Sequence, residues 1–366
     1  MTKAIAVLLF ATMIGAQGGL PQYTRVLHLE QTSDDSANVS LGDLDGDGDL
    51  DLALAKGRHT PLVDRILLND GKGNFTASDL GAADRTYSAV LADLDGDRDI
   101  DIVTSNDRPD AKVIYLNDGA AHFRVAGTWG APEWSTRNAS AADLNGDGRP
   151  DVIAANRPGP SFVCLNDGKG NFPPPCIPIP AGSATSIVAA DFDNDGNIDL
   201  AVPERDGGQS RIYFNDGRAN FTRILPFGPG SAAARVASAA DFDHDGDLDL
   251  VVGDEAAALM VVYTNDGKGN LREGFRFQDR TRVPYALATG DLNLDARPDI
   301  VIGYISARPS VFLNTGTGTG FTQIEFGDGK GSAYGFALGD LDGDGAPDIA
   351  HARSGAPNVV YFSGKQ

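Results

Sequence analysis

The chain has 366 residues, 41% of them hydrophobic, so it is long enough to bury a large core. With 45 Gly and 20 Pro against 3 Met and 2 Trp, it has the composition of a turn-rich β protein rather than a helical one. A formal net charge of −21 excludes nucleic-acid binding by the bare protein and raises the question of where so much negative charge is held.

The N-terminus has the form of a secretory signal. Lys3 supplies the positive region, residues 4–14 are apolar, and Gly15 and Ala16 are small residues ahead of a cut near Gln17. The expected division is a signal peptide at 1–16 and a single domain at 17–366. The apolar run is too short to span a bilayer. No cysteine follows it to carry a lipid, and no second hydrophobic segment occurs, so a secreted, periplasmic or cell-surface protein without an anchor is expected. Residues 23–29 (Tyr-Thr-Arg-Val-Leu-His-Leu) then form an isolated strand-like run.

Residues 43–51 introduce the motif that organises the chain. Asp43, Asp45, Asp47 and Asp51 stand at positions 1, 3, 5 and 9 of a nine-residue loop, with Gly48 at position 6. The loop returns six times, at Asp93, Asp143, Asp191, Asp241, Asp291 and Asp340, with spacings of 50, 50, 48, 50, 50 and 49 residues. A fixed motif at a period near 50 marks a repeat architecture. Position 3 is then Asp95, Asn145, Asp193, Asp243, Asn293 and Asp342; position 5 is Asp97, Asp147, Asp195, Asp245, Asp295 and Asp344; position 9 is Asp101, Asp151, Asp199, Asp249, Asp299 and Asp348.

Oxygen-only side chains crowded in this way suit a hard cation, and calcium is the usual one, at up to seven sites. Two charges about 4 Å apart repel by roughly 4 kcal/mol at an effective dielectric near 20, so the empty loop strains itself. The motif holds 26 carboxylates, and seven divalent ions would bring the formal charge from −21 to −7. Glycine at position 6 lets the chain curl with positive φ. Arg98 and Ala296 replace it in the second and sixth loops. The sixth also has Asn293 and Leu294, so it ranks as the weakest site and the second as the next weakest.

Between the loops the pattern alternates as strands. In the first unit, residues 37–42 lead into the loop, 50–55 lead out, 65–68 form a third strand, and Asn69-Asp70-Gly71 turns into a fourth opening at Phe75. The turn recurs at Asn117, Asn166, Asn215, Asn265 and Asn314, each followed by Phe123, Phe172, Phe221, Leu271 or Phe321. Four antiparallel strands per unit describe one propeller blade. Cys164 and Cys176 flank the third of these turns and are expected to form a disulfide in an exported protein. The last unit stops after its third strand. Residues 23–27 match the fourth strand at 221–225, so the N-terminal strand is expected to complete the seventh blade and close the ring.

The motif Asp-x-(Asp/Asn)-x-Asp-Gly-x-x-Asp between two strands resembles the FG-GAP/VCBS repeats of the integrin α-subunit propeller and of many bacterial exported proteins. An EF-hand is a poorer match, because Leu54 and Thr104 stand where its position-12 Glu belongs. The resemblance implies a calcium-stabilised, all-β, seven-bladed propeller. It does not fix one activity, since the family includes adhesion receptors, lectins and accessory domains of polysaccharide lyases.

The metal loops and the Asn-Asp-Gly turns share one face of such a ring. The other face carries the connections that differ between repeats, as a binding face must. Ala37, Tyr87, Arg137, Thr185, Arg235, Tyr285 and Tyr334 stand six residues before each loop. Lys56, Asn106, Asn156, Glu204, Asp254, Tyr304 and Arg353 stand five after it. Both sets are expected to ring the channel mouth. Arginine's planar fork suits carboxylate, sulfate or phosphate. Trp129 and Trp134 either stack on sugar rings from this face or plug a seam between blades. We therefore take Tyr87, Arg137, Arg235, Tyr285, Tyr334, Arg353, Trp129 and Trp134 as candidate ligand contacts. His351 is either a semi-buried residue or the most eligible general base. The expected function is non-catalytic recognition by a monomer, with a carbohydrate or another cell-surface ligand as partner and no membrane span. The alternatives are a polysaccharide lyase-type enzyme at the same mouth, or an integrin-like head that binds protein.

Overall fold

Seven four-stranded antiparallel sheets form a closed ring of blades. The computed structural model describes residues 20–364 apart from 181, 279–280 and 317–319, with the side chain of residue 278 also undescribed. The expected signal peptide lies outside these residues. Blade 1 is built from Ser36–Gly42, Asp51–Lys56, Leu62–Asn69 and Phe75–Asp84, and the later blades repeat the order from the channel outward. Among the described residues no helix is long and apolar enough to cross a membrane.

Each second strand is buried on both faces and its sequence shows it: Asp51–Lys56 reads Asp-Leu-Ala-Leu-Ala-Lys and is buried throughout. The fourth strands are solvated, as the exposed Thr76–Asp79 of blade 1 illustrate. The core is accordingly not one mass but seven wedges, one at each seam. Val39, Leu52, Leu54 and Leu67 of blade 1 pack on Leu341, Ala350, Val360 and Phe362 of blade 7. Leu44, Ala53, Ile66 and Leu80 of blade 1 pack on Ala89, Ile102 and Tyr115 of blade 2.

The ring closes as the sequence implies. Gln22–His28 pairs antiparallel with Val359–Gly364 and supplies the missing outer strand of blade 7. The closure continues past the strand: Leu29 N–H donates to Asn358 O at 2.9 Å, and Asn358 Nδ2 donates to Glu30 at 2.7 Å. The buried Lys56 ammonium reaches back from blade 1 to Glu30 and Asp34 at 2.5 and 2.9 Å. Cys164 and Cys176 are bonded to each other.

Deleting residues 20–30 exposes the apolar edge Val-Val-Tyr-Phe of the last strand. The deletion variant should aggregate or lose its cooperative melt. A soluble monomer melting at the parent temperature would contradict this account of closure.

Candidate functional site

The loops are organised by two of their carboxylates before any ion is considered. The position-1 side chain accepts the position-6 backbone N–H in every loop and the position-4 N–H in the first, second, third and seventh; in the seventh Gly343 and Gly345 donate to Asp340 at 2.8 and 2.7 Å. This curl needs positive φ at position 6. Glycine supplies it in five loops, while Arg98 and Ala296 adopt it at 79° and 65°.

Position 9 does something the sequence did not reveal. Asp51 is fully buried, one oxygen accepting Leu44 N–H and the other Asn69 N–H, both at 2.8 Å. The pattern holds in every blade, ending with Asp348, which accepts Leu341 N–H at 2.9 Å and Ser363 N–H at 2.7 Å. One aspartate thus ties the inner hairpin of a blade to its outer hairpin. Burial pushes Asp51 up to about 6 against the opposing pull of these two bonds.

The Asn that opens each outer turn joins one blade to the last. Asn117 Nδ2 donates to Leu44 O of the preceding blade at 2.7 Å, and Asn69 Nδ2 to Leu341 O at 2.9 Å across the ring closure. Six blades have this Asn; the seventh has Ser363, which keeps the backbone bond and lacks the amide.

The clustered oxygens, position 9 among them, fit a divalent cation. Ligand atoms of Asp43, Asp45 and Asp51 lie within 4.8 Å of one another, and comparable clusters form in the second, fourth, fifth and seventh loops. Asp95, Asp193 and Asp342 at position 3, and Asp241 at position 1, each have a buried Oδ1 with no hydrogen-bond partner. An oxygen-only set with unsatisfied inward oxygens is what a calcium loop requires. The third and sixth loops differ. Asn145 and Asn293 donate to the position-5 carboxylates Asp147 and Asp295 at 2.9 and 3.0 Å, and Arg297 pairs with Asp295. These two loops supply their own donors. The second loop gathers its carboxylates despite Arg98, whereas among the described residues the third and sixth form no such cluster.

On the opposite face, Tyr87, Arg137, Arg235, Tyr285 and Tyr334 come together with Ala37 and Thr185 around a cavity of about 190 Å³ at the channel mouth. Their placement has a mechanical cause. In six of the inner strands the register slips where the mouth residue stands, as between Ser36 and Asn38 or Thr86 and Ser88. The bulged residue, Ala37 or Tyr87, is left out of the ladder and re-aimed. The second expected set does not line the mouth, because its side chains are taken by the neighbouring connections: Lys56 pairs with Glu30 and Asp34, Glu204 accepts from Gly182 and Ser183 N–H, and Arg353 bonds Asp328 and Pro357 O.

Arginine–tyrosine stacks build the rim. The guanidinium of Arg235 lies 3.3 Å from the Tyr285 ring centre, Arg58 lies 3.8 Å from Tyr334, and Arg137 lies 4.7 Å from Tyr87. Burial alone would raise the Tyr285 hydroxyl, but Arg235 holds it below its ordinary value. Carboxylates tie the guanidiniums: Asp107 to Arg137 at 2.9 Å, Asp206 to Arg157 at 2.7 Å, Glu255 to Arg205 at 2.8 Å and to Arg235 at 3.3 Å. With Arg58 beside Asp35 at 3.7 Å, five guanidiniums face four carboxylates. His59, absent from the expected set, lies on the rim with Nε2 2.9 Å from the Tyr87 hydroxyl.

Three expected contacts lie elsewhere. Arg353 is 1% exposed and bonds Asp328, in the connection from blade 6 to blade 7, at 2.7 Å. Trp129 is 2% exposed, its Nε1 donating to Thr104 O, and Trp134 stacks on Phe162 at 4.0 Å, so both indoles plug the seam between blades 2 and 3. His351 takes the semi-buried alternative: it is buried against Phe336, away from the mouth, and burial drives its pKa well below the ordinary value.

A ring of repeated blades stapled by Asp and Asn, with one conserved-geometry face and one variable mouth, defines a β-propeller recognition scaffold. The chain belongs to the FG-GAP-like repeat family, whose model matches residues 43–104, 93–154, 143–202, 204–252, 241–302 and 291–351. No curated protein matches it. Among solved structures, BBS1N in complex with ARL6DN is 13% identical with a TM-score of 0.62, the match covering 94% of this chain and 96% of that one. The WD40 β-propeller domain of Doa1 is 11% identical with a TM-score of 0.62, covering 94% and 97%. At that identity the likeness concerns the fold.

Positions 3 and 9 should respond differently to substitution. Asp51→Asn leaves one of two buried N–H groups facing an amide and should cost about 3 kcal/mol even in chelator, where cation binding no longer contributes. Asp45→Asn should cost about 1.4 kcal/mol only when calcium is about tenfold above its dissociation constant. Melting curves of both variants in the two conditions check this; an Asp51→Asn variant that melts at the parent temperature in chelator would refute the division of roles.

Proposed function

We propose that the protein is an exported, calcium-stabilised recognition module that binds a carbohydrate at the channel mouth. The calcium reading is supported by the clustered carboxylates with unpartnered inward oxygens. Export is supported by the bonded Cys164 and Cys176, since disulfides persist in oxidising compartments.

The ligand reading rests on the rim. Five guanidiniums against four carboxylates leave little net charge but many donors and acceptors in fixed positions. A sugar hydroxyl donates and accepts at once, so it can bridge a paired arginine and carboxylate. The tyrosine rings offer flat apolar faces beside those groups. At about 190 Å³ the cavity is smaller than the roughly 300 Å³ at which drug-sized pockets begin, which suits a sugar residue or two at a chain end. The single excess positive charge favours a glycan bearing one carboxylate or sulfate over a polyanion.

An array of neutral and uronate-bearing oligosaccharides tests the reading. Arg157→Ala with His59→Ala removes the more exposed rim groups and should weaken binding about tenfold with the melting point unchanged. Moderate salt should weaken binding of the acidic sugar only slightly, because the rim charges are already paired. Absence of any glycan binding, or equal affinity in the double variant, would overturn the proposal and favour a protein ligand.

A further inference from the structure

Arg25 and Arg223 occupy matching places in the outer strands of blades 7 and 4. Arg25 faces Phe362 across the strand pair and Arg223 faces Phe214, each guanidinium lying 3.8 Å from its ring centre. Arg25 Nη1 donates to Asp342 at 2.7 Å, and Arg223 Nη1 donates to Asp193 at 2.6 Å. These two aspartates are position 3 of the seventh and fourth loops. In both, Oδ2 takes the arginine while Oδ1 remains buried, unpartnered and free to face an ion.

The same guanidiniums also cross to the next blade. Arg25 Nη2 donates to Lys72 O at 3.1 Å, and Arg223 Nη2 donates to Lys268 O. The turns that carry these carbonyls must come close. A Cβ on Gly73 would meet the Phe362 ring at 2.5 Å, and one on Gly269 would meet Phe214 at 2.2 Å. Arginine, phenylalanine and the facing glycine thus form one unit, present twice. Arg124 and Arg272 face Leu116 and Thr264 in blades 2 and 5; among the described residues they have no ring beneath them and make no ion pair with a loop carboxylate.

We propose that Arg25 and Arg223 are resident counter-charges of the seventh and fourth loops, clamping the seams between blades 7 and 1 and between blades 4 and 5 whether or not calcium is bound. The proposal rests on the calcium reading given above. A guanidinium on the position-3 carboxylate supplies part of the positive charge that an ion supplies elsewhere, so the empty loop repels itself less. The same charge lies near the ion and weakens its binding. Seam 7/1 is where the ring is closed non-covalently, and it lies among the seams that least depend on calcium.

Arg223→Gln, Arg25→Gln, Arg223→Lys and the control Arg272→Gln in the full chain test this by thermal melting in excess calcium and in excess chelator, with calcium titration by calorimetry. Both Gln variants should lower the melting temperature more in chelator than in calcium, and each should tighten calcium about tenfold at the loop it faces, the seventh for Arg25 and the fourth for Arg223. Arg223→Lys should keep the parent's melting point in chelator, and Arg272→Gln should match the parent throughout. If Arg25→Gln fails to fold in chelator, Arg223→Gln, away from the closure, decides the matter alone. Equal losses in both conditions, or calcium affinity unchanged or weakened, would overturn the proposal and leave the arginines as packing groups. A parent that binds no calcium would overturn this proposal and the calcium reading together.

Discussion

A carboxylate with both oxygens committed to backbone N–H groups holds each blade together. The position-9 aspartate is fully buried in all seven blades, and each joins the inner hairpin to the outer one. An ionised acceptor with two donors is among the stronger neutral-to-charged arrangements available in a core. Burying it without both donors would be costly, so the loop and the outer turn must form in register or not at all. The neighbouring Asn then passes the constraint from blade to blade, and the apolar wedges fill in behind.

Repetition on one face leaves the other free to vary. The staples and the curl of the position-1 carboxylate fix the loop face, so its sequence hardly changes. The mouth is set by a bulge at the start of the inner strand, which tolerates Ala37, Tyr87, Arg137 or Tyr285 equally because the bulged side chain leaves the ladder. Blade 4 has a short inner strand, Val188–Ala190, and contributes the small Thr185. The charge pattern follows the same division: the loops bring like-charged carboxylates together, whereas the mouth pairs nearly every guanidinium with a carboxylate.

Much of this was legible in the residues. The 50-residue period, the alternating strands and the match of 23–27 to 221–225 were sufficient for seven blades and their closure, because repeat architectures write their geometry into spacing. Alignment on the loops also placed Tyr87, Arg137, Arg235, Tyr285 and Tyr334 at the mouth. It failed for Arg353 because that guanidinium is drawn to Asp328 and Pro357 O in neighbouring connections, whereas Trp129 and Trp134 take the second of their two expected roles and plug a seam. The two oxygens of Asp51 could not be assigned from a motif in which every aspartate looks like a ligand. The pairing of Arg25 with Asp342 joins residues 317 apart in sequence, and only its twin at Arg223 and Asp193 betrays it.

We propose the loops as cation sites on a shared scaffold. Native mass spectrometry of the folded chain, after exchange into calcium and after chelation, tests it most directly. Five calcium ions should be retained, one for each loop with a carboxylate cluster, with the third and sixth loops left out. A chain that carries no calcium, with the same mass in both conditions, would contradict it.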